Sequence, residues 1–68
     1  MQMVPVNSSN LSSVGYENGV LYVSFHHGGL YAYDGVPPHV HRELMAAASH
    51  GQYLARYVKG VYPYHKIG

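Results

Sequence analysis

Two features of this chain suit recognition chemistry: the pair Tyr31 and Tyr33, and the run Ser49-His50-Gly51. Tyrosines two apart on a strand project from the same face. Rings so placed can stack nucleobases, each stack being worth ~1–3 kcal/mol. They can equally pack as core beneath helices, and strand alternation alone leaves both readings open. Ser49-His50-Gly51 has the composition of a helix start, where free N–H groups and a partial positive charge suit a phosphate. Gly51 would let a ligand approach the backbone. Arg56 and Lys59 follow one and two turns later, and Tyr53 adds a third ring. The plainer reading of Ser49-x-x-Gln52 is an ordinary capping box.

The other reactive side chains organise less well. His26-His27 and His39-x-His41 are histidine clusters, but neighbours at i and i+2 do not share a helix face. No cysteine joins them, so neither a metal site nor a bound cofactor is expected. Solvated or ligand-contacting histidines are the expectation. Ser8, Ser9, Ser49 and 6 histidines are raw material for nucleophilic or general-base chemistry. Only 3 acids are present, and no motif places one behind a histidine. Nucleophile-elbow, phosphate-loop and metalloprotease patterns are absent. The expectation is a protein that is not an enzyme.

The elements that must position these residues read as an α+β domain. Pro5 and the polar run Asn7-Ser8-Ser9-Asn10 argue against regular structure in residues 1–9, which read as a lead-in to a single domain over 10–68. Leu11 to Tyr16 suits a first strand, and Asn18-Gly19 is a strong hairpin signal. Val20 to His26 alternates with period two, with Leu21, Val23 and Phe25 on one face. His27-Gly28-Gly29 suits a second turn, and Leu30 to Asp34 a third strand. Pro37-Pro38 then opens a helix with a stripe of Val40, Leu44 and Ala47 or Ala48. A second helix after Ser49 has an inner face of Leu54, Tyr57, Val58 and Val61, ended by Gly60 and Pro63. The expected architecture is a three-stranded antiparallel meander followed by two helices packed on one face. Tyr62-Pro63-Tyr64-His65-Lys66 remains as a last segment that folds back over the sheet, packs on another subunit or is a simple tail covering the core edge.

Size and composition bound what such a domain can do. With 68 residues and no cysteine, the chain has one small core and no disulfide to brace it. Metal or self-association remain as sources of support, and a homo-oligomer is expected. There is no apolar run approaching the ~20 residues of a membrane span, and no signal-peptide pattern, so a soluble cytoplasmic protein is expected. The net charge of +1 gives no strong field to draw a long polyanion. Tyrosine reaches 8 residues, more rings than so small a domain can bury completely.

An ordered set of residues resembles one family. Val6-Asn7-Ser8-Ser9, Gly15-Tyr16, Leu21-x-Val23-x-Phe25, Gly29-x-Tyr31-x-Tyr33, Val36-Pro37, Ala48-Ser49-x-Gly51-x-Tyr53, Val58-Lys59 and Tyr62 together resemble the KTSC domain. That domain occurs at the C-terminus of some lysyl-tRNA synthetases and as a stand-alone bacterial or phage protein. The resemblance implies a short α+β domain, with RNA binding the suggested role, and places the family's central Tyr-x-Tyr on Tyr31 and Tyr33. His50 stands where members often carry a basic residue. Taken with the residues, it leads to a non-catalytic nucleotide-binding module. Its ligand would sit on Tyr31, Tyr33 or Tyr53, with Ser49, His50, Gly51, Arg56 and Lys59 toward phosphate. In a phage, such a module would be a homo-oligomeric sponge for a nucleotide immune signal of cyclic-nucleotide or ADP-ribose type, residing in the host cytoplasm. The alternatives are an RNA-binding domain and a structural or protein-interaction module.

Overall fold

The computed structural model describes all residues from Met1 to Gly68. Five strands, β1 (Val4–Pro5), β2 (Leu11–Glu17), β3 (Val20–Phe25), β4 (Gly29–Tyr33) and β5 (Tyr64–Lys66), form one antiparallel sheet in sequence order. Two helices, α1 (Pro38–Ala46) and α2 (His50–Tyr57), lie between β4 and β5 in the chain. The expected meander is present as β2–β4, but two edge strands extend it to five.

Each turn follows from local chemistry. Asn18 and Gly19 both take positive φ (53° and 78°), the left-handed pair that a two-residue hairpin of the right twist requires. Gly29, at φ 83°, opens β4 after the second turn. Pro38 occupies the first helical position of α1, where its missing N–H costs nothing. Ser49 caps α2 by accepting the Gln52 N–H at 3.2 Å.

Register sorts the strand residues onto two faces. On the helix-facing side one row runs Val4, Val14, Val23, Tyr31, Lys66, and the next runs Tyr16, Leu21, Tyr33, Tyr64. Val14, Leu21, Val23 and Tyr33 pack there with Leu11, Val36, Val40, Leu44, Leu54 and Val58 as the core. The opposite face carries Gly15, Tyr22, Ala32 and His65 in one row.

Three sequence expectations are corrected. Residues 1–9 are not wholly irregular, because Val4 pairs with Val14 and Pro5 with Ser13. The tail does not simply cover the core edge, since Tyr64, His65 and Lys66 become the fifth strand against Tyr33, Ala32 and Tyr31. The inner face of α2 is narrower than expected: Leu54 and Val58 are buried, whereas Tyr57 and Val61 are exposed. The short helix ends at Tyr57, so Leu54 and Val58 enter the core and Tyr53 packs against it half-buried. Ala48 likewise lies beyond α1, which stops at Ala46. No helix is long and apolar enough to cross a membrane.

Candidate functional site

The helices cover only part of their side of the sheet. Past the end of α2 an open cleft of about 740 Å³ remains. Its floor is aromatic: Phe25 from the end of β3, Tyr31 and Tyr33 from β4, and Tyr64 from β5. Lys59 and Gly60 of the turn after α2 form one wall, and Ser9, Asn10, His27 and Gly28 close the far end. Strand alternation aims the four rings to one side, and the glycine turns bring the loops to its rim.

The rings contact one another in series. Phe25 and Tyr31 meet edge to face, with centroids 5.5 Å apart. Tyr64 lies 5.8 Å from Tyr31 and 5.6 Å from Tyr33. The Lys59 ammonium stands 5.2 Å from the Phe25 ring, within cation–π range. Tyr33 is only 3% exposed, while Tyr64 is 60% exposed. The two tyrosines of the central motif therefore differ: Tyr33 belongs to the core and reaches the cleft from beneath, and Tyr31 is half-buried. Burial, with Tyr64 and Tyr31 beside it, pushes the Tyr33 phenol up from its ordinary pKa, so it stays a neutral group at physiological pH.

A second cavity, of about 530 Å³, adjoins through Ser9 and Asn10, which line both. It lies between the Asn7–Asn10 loop and the start of α2, including Ser49, His50 and Gly51. The loop is held firmly. Ser8 Oγ accepts the N–H groups of Asn10 and Leu11 at 3.2 Å each. His26 Nε2 donates to the Ser8 carbonyl at 3.0 Å. The group that approaches Gly51 is the chain's own Asn10: a Cβ at position 51 would lie 3.4 Å from Asn10 Nδ2. His50 Nδ1 donates to the Leu44 carbonyl at 2.8 Å, closing the end of α1.

The expected site residues thus separate. Tyr31, Tyr33 and Lys59 meet in the aromatic cleft, and Ser49, His50 and Gly51 line the polar cavity. Tyr53 and Arg56 line neither. The Tyr53 hydroxyl donates to the Glu43 carboxylate at 2.8 Å, tying α2 to α1. Partial burial and that hydrogen bond push its phenol up to about 12. Arg56 is exposed, with its guanidinium 5.9 Å from the Tyr57 ring. Sequence reasoning missed Phe25 and Tyr64 as cleft rings. Phe25 was legible as sharing the face of Leu21 and Val23, but Tyr64 enters only through a strand pairing that no local pattern announces. No group of three or more His, Cys, Asp or Glu side chains converges on a metal-sized site.

Comparison with known proteins gives the chain a family. The model of the KTSC domain matches residues 7–62. The chain belongs to the KTSC domain family. A crystal structure of a KTSC domain protein from Yersinia pestis superposes with a TM-score of 0.96, at 39% identity, covering 98% of this chain and 97% of that one. An uncharacterised protein from Stutzerimonas stutzeri is 41% identical over 61 residues, 87% of this chain and 86% of its own. A protein from Tsukamurella paurometabola is 39% identical over 59 residues, 84% of this chain and 88% of its own. The resemblance carried by the scattered Gly, Tyr and Ser positions is thereby a family relationship across nearly the whole KTSC fold.

Proposed function

We propose that this KTSC domain is a non-catalytic nucleotide-binding module whose base-binding surface is the cleft of Phe25, Tyr31 and Tyr64. The carrying observation is an open cleft with an aromatic floor, a lysine at its rim and no carboxylate among its lining residues. A planar base gains stacking from the exposed ring faces, worth ~1–3 kcal/mol per ring contact. Lys59 supplies a cation for a phosphate, and the polar cavity beyond Ser9 and Asn10 accepts the remainder of a ligand longer than one nucleoside. Tyr33 contributes packing and a neutral hydroxyl. Tyr53 and Arg56 are no longer part of the proposed contact set.

Two features favour binding over catalysis. Neither cavity is lined by Asp or Glu. The imidazole nearest to a polar cavity, His50, is oriented by a backbone carbonyl and has no acid behind it. A small nucleotide also suits a chain of net charge +1 better than a long RNA, whose affinity comes from many phosphate contacts. In a phage setting the same module would act as a sponge for a cyclic-nucleotide or ADP-ribose type signal.

The test is calorimetry against mononucleotides, cyclic dinucleotides, ADP-ribose and its cyclic isomers, and short RNAs. The expected result is low-salt-sensitivity binding of a small nucleotide that Tyr31→Leu weakens ~10–100-fold, the equivalent of one lost stack. Absence of binding at high micromolar protein would sink the proposal. Affinity confined to RNA and falling steeply with salt would replace it with RNA binding.

A further inference from the structure

The sheet is open, and its two edges are finished differently. The β1 edge is two residues long and contains Pro5, which has no N–H to offer a further strand. The β5 edge, Tyr64-His65-Lys66, has no proline within it, and all its residues are exposed. Exposed Val61 and Ile67 flank it in the chain.

The direction of its free backbone groups follows from the β4–β5 ladder. Asp34 N–H donates to the Pro63 carbonyl at 2.9 Å, and Ile67 N–H donates to the Leu30 carbonyl at 2.8 Å. Alternation in an antiparallel ladder then turns His65 inward to Ala32 and leaves the N–H and C=O groups of Tyr64 and Lys66 pointing away from the sheet. Both side chains lie on the helix-facing side, with Tyr64 beside Tyr33 and Lys66 beside Tyr31.

We propose that the β5 edge pairs antiparallel with β5 of a second copy of this chain, about a two-fold axis through His65, giving one sheet continuous across the dimer. The occupant is fixed by self-complementarity. Antiparallel pairing centred on His65 sets Tyr64 opposite the partner's Lys66, and Lys66 opposite the partner's Tyr64. Both outward-pointing residues then exchange reciprocal backbone hydrogen bonds. A lysine on an edge ordinarily repels another strand, but this register gives it an aromatic face in place of a second lysine. On the other side of the sheet the two His65 rings would face each other, each with its own Asp34 carboxylate 3.9 Å from Nδ1.

The pairing also completes the cleft. Tyr64 forms part of its floor, so the partner's Lys66 arrives beside that ring on the open side, opposite the wall that carries Lys59. A cleft with one cation becomes a cleft with cations on two sides, suited to a nucleotide carrying more than one phosphate. This consequence rests on the nucleotide reading; the dimer itself does not.

The test is sedimentation velocity and native mass spectrometry of the unliganded full chain across a concentration series. The wild type is expected to form dimers in the micromolar range. Tyr64→Lys, which sets like charges opposite each other twice, should raise the dimer dissociation constant on the order of tenfold or more. The double variant Tyr64→Lys with Lys66→Glu should restore dimers through swapped ion pairs. Lys66→Pro, which deletes an outward N–H without touching the β4 ladder, should also give monomers, with circular dichroism confirming the fold. A monomeric wild type, or a Tyr64→Lys variant that dimerises as well as wild type, overturns the interface. A wild-type dimer that binds no nucleotide leaves the interface standing and removes the proposed function, and a nucleotide-binding monomer does the reverse.

Discussion

The same side of the sheet is finished in two ways. Toward β2 and β3 it is filled: Val14, Leu21 and Val23 are fully buried against Leu44, Leu54 and Val58. Toward the end of β3 and the outer side of β4 and β5 it is left open, and the rings of Phe25, Tyr31 and Tyr64 replace aliphatic side chains at the same alternating positions. The cause is the length of the cover. Helix α2 stops at Tyr57, and the turn through Lys59 and Gly60 leads the chain away to β5. Aliphatic side chains suit a surface that a helix covers, because they have no polar atom to leave unsatisfied. Tyrosines suit a surface that stays wet at one end, since each buries a ring and keeps its hydroxyl in reach of water. One strand pattern thus builds a core and an open aromatic cleft side by side.

This contrast predicts unequal responses to substitution. Leu44 is fully buried at the centre of the filled half. Leu44→Ala should cost ~2–5 kcal/mol in urea unfolding, while molecules that remain folded keep the cleft and, under the proposed function, its nucleotide affinity. The contrast breaks if Leu44→Ala costs no more stability than Tyr31→Leu. A smaller effect is expected at the neighbouring polar cavity. Ser49→Ala removes the acceptor for the Gln52 N–H and should cost ~1 kcal/mol of stability. Calorimetry on that variant should show a smaller loss of nucleotide affinity than Tyr31→Leu causes, which would mark the aromatic cleft as the dominant contact surface.

The smallest expected effect belongs to the far end of the filled half. There Tyr16 donates its hydroxyl to the Val36 carbonyl and stacks on His41, with centroids 4.8 Å apart and planes within 6°. Burial, helped by the Arg42 charge, holds the His41 pKa below its ordinary 6.5. The unfolded chain then binds more protons than the folded one as pH falls through 6.5. The neutral stacked ring's contribution is fully present above that value and is lost progressively below it. Thermal unfolding between pH 7.5 and 5 should show a modest acid loss of stability. His41→Phe, which keeps a stacking ring without a titrating proton, should flatten that slope.

What the sequence made legible was local. The Asn18-Gly19 hairpin, the period-two run from Val20, the paired prolines at the start of α1 and the Ser49 cap each announce themselves through one residue's backbone or hydrogen-bonding preference. The edge strands do not. Val4–Pro5 is too short to show alternation, and its proline argues against a strand everywhere except on an edge. Tyr64–Lys66 is strand only because β4 has an open side. For the site, Tyr31, Tyr33 and Lys59 were named together, and the chain brings them together. Tyr53 and Arg56 were grouped with them because they share α2 with the Ser49 cap. Helical periodicity turns both away, Tyr53 toward Glu43 and Arg56 toward solvent. Which face of β4 lies inward was undecided by alternation; the helices settle it, and Tyr31 and Tyr33 prove to lie on one side at different depths.

The strand order also has a meaning in time. Strands β1 to β4 each pair with the strand next to them in sequence, so those seams close over short loops at little entropic cost. The seam between β4 and β5 is different, because both helices intervene between Tyr33 and Tyr64. Nonlocal pairing of that kind ordinarily forms late in folding. The β2–β4 hairpins and the helices they support are therefore expected to assemble first, with β5 zipping onto a nearly finished body. Tyr64 arrives only with that last strand, and with it one ring of the cleft floor. A nascent or partly folded chain would hold most of its core and still lack the full aromatic cleft, so closure of the cleft floor is the expected final kinetic event of folding.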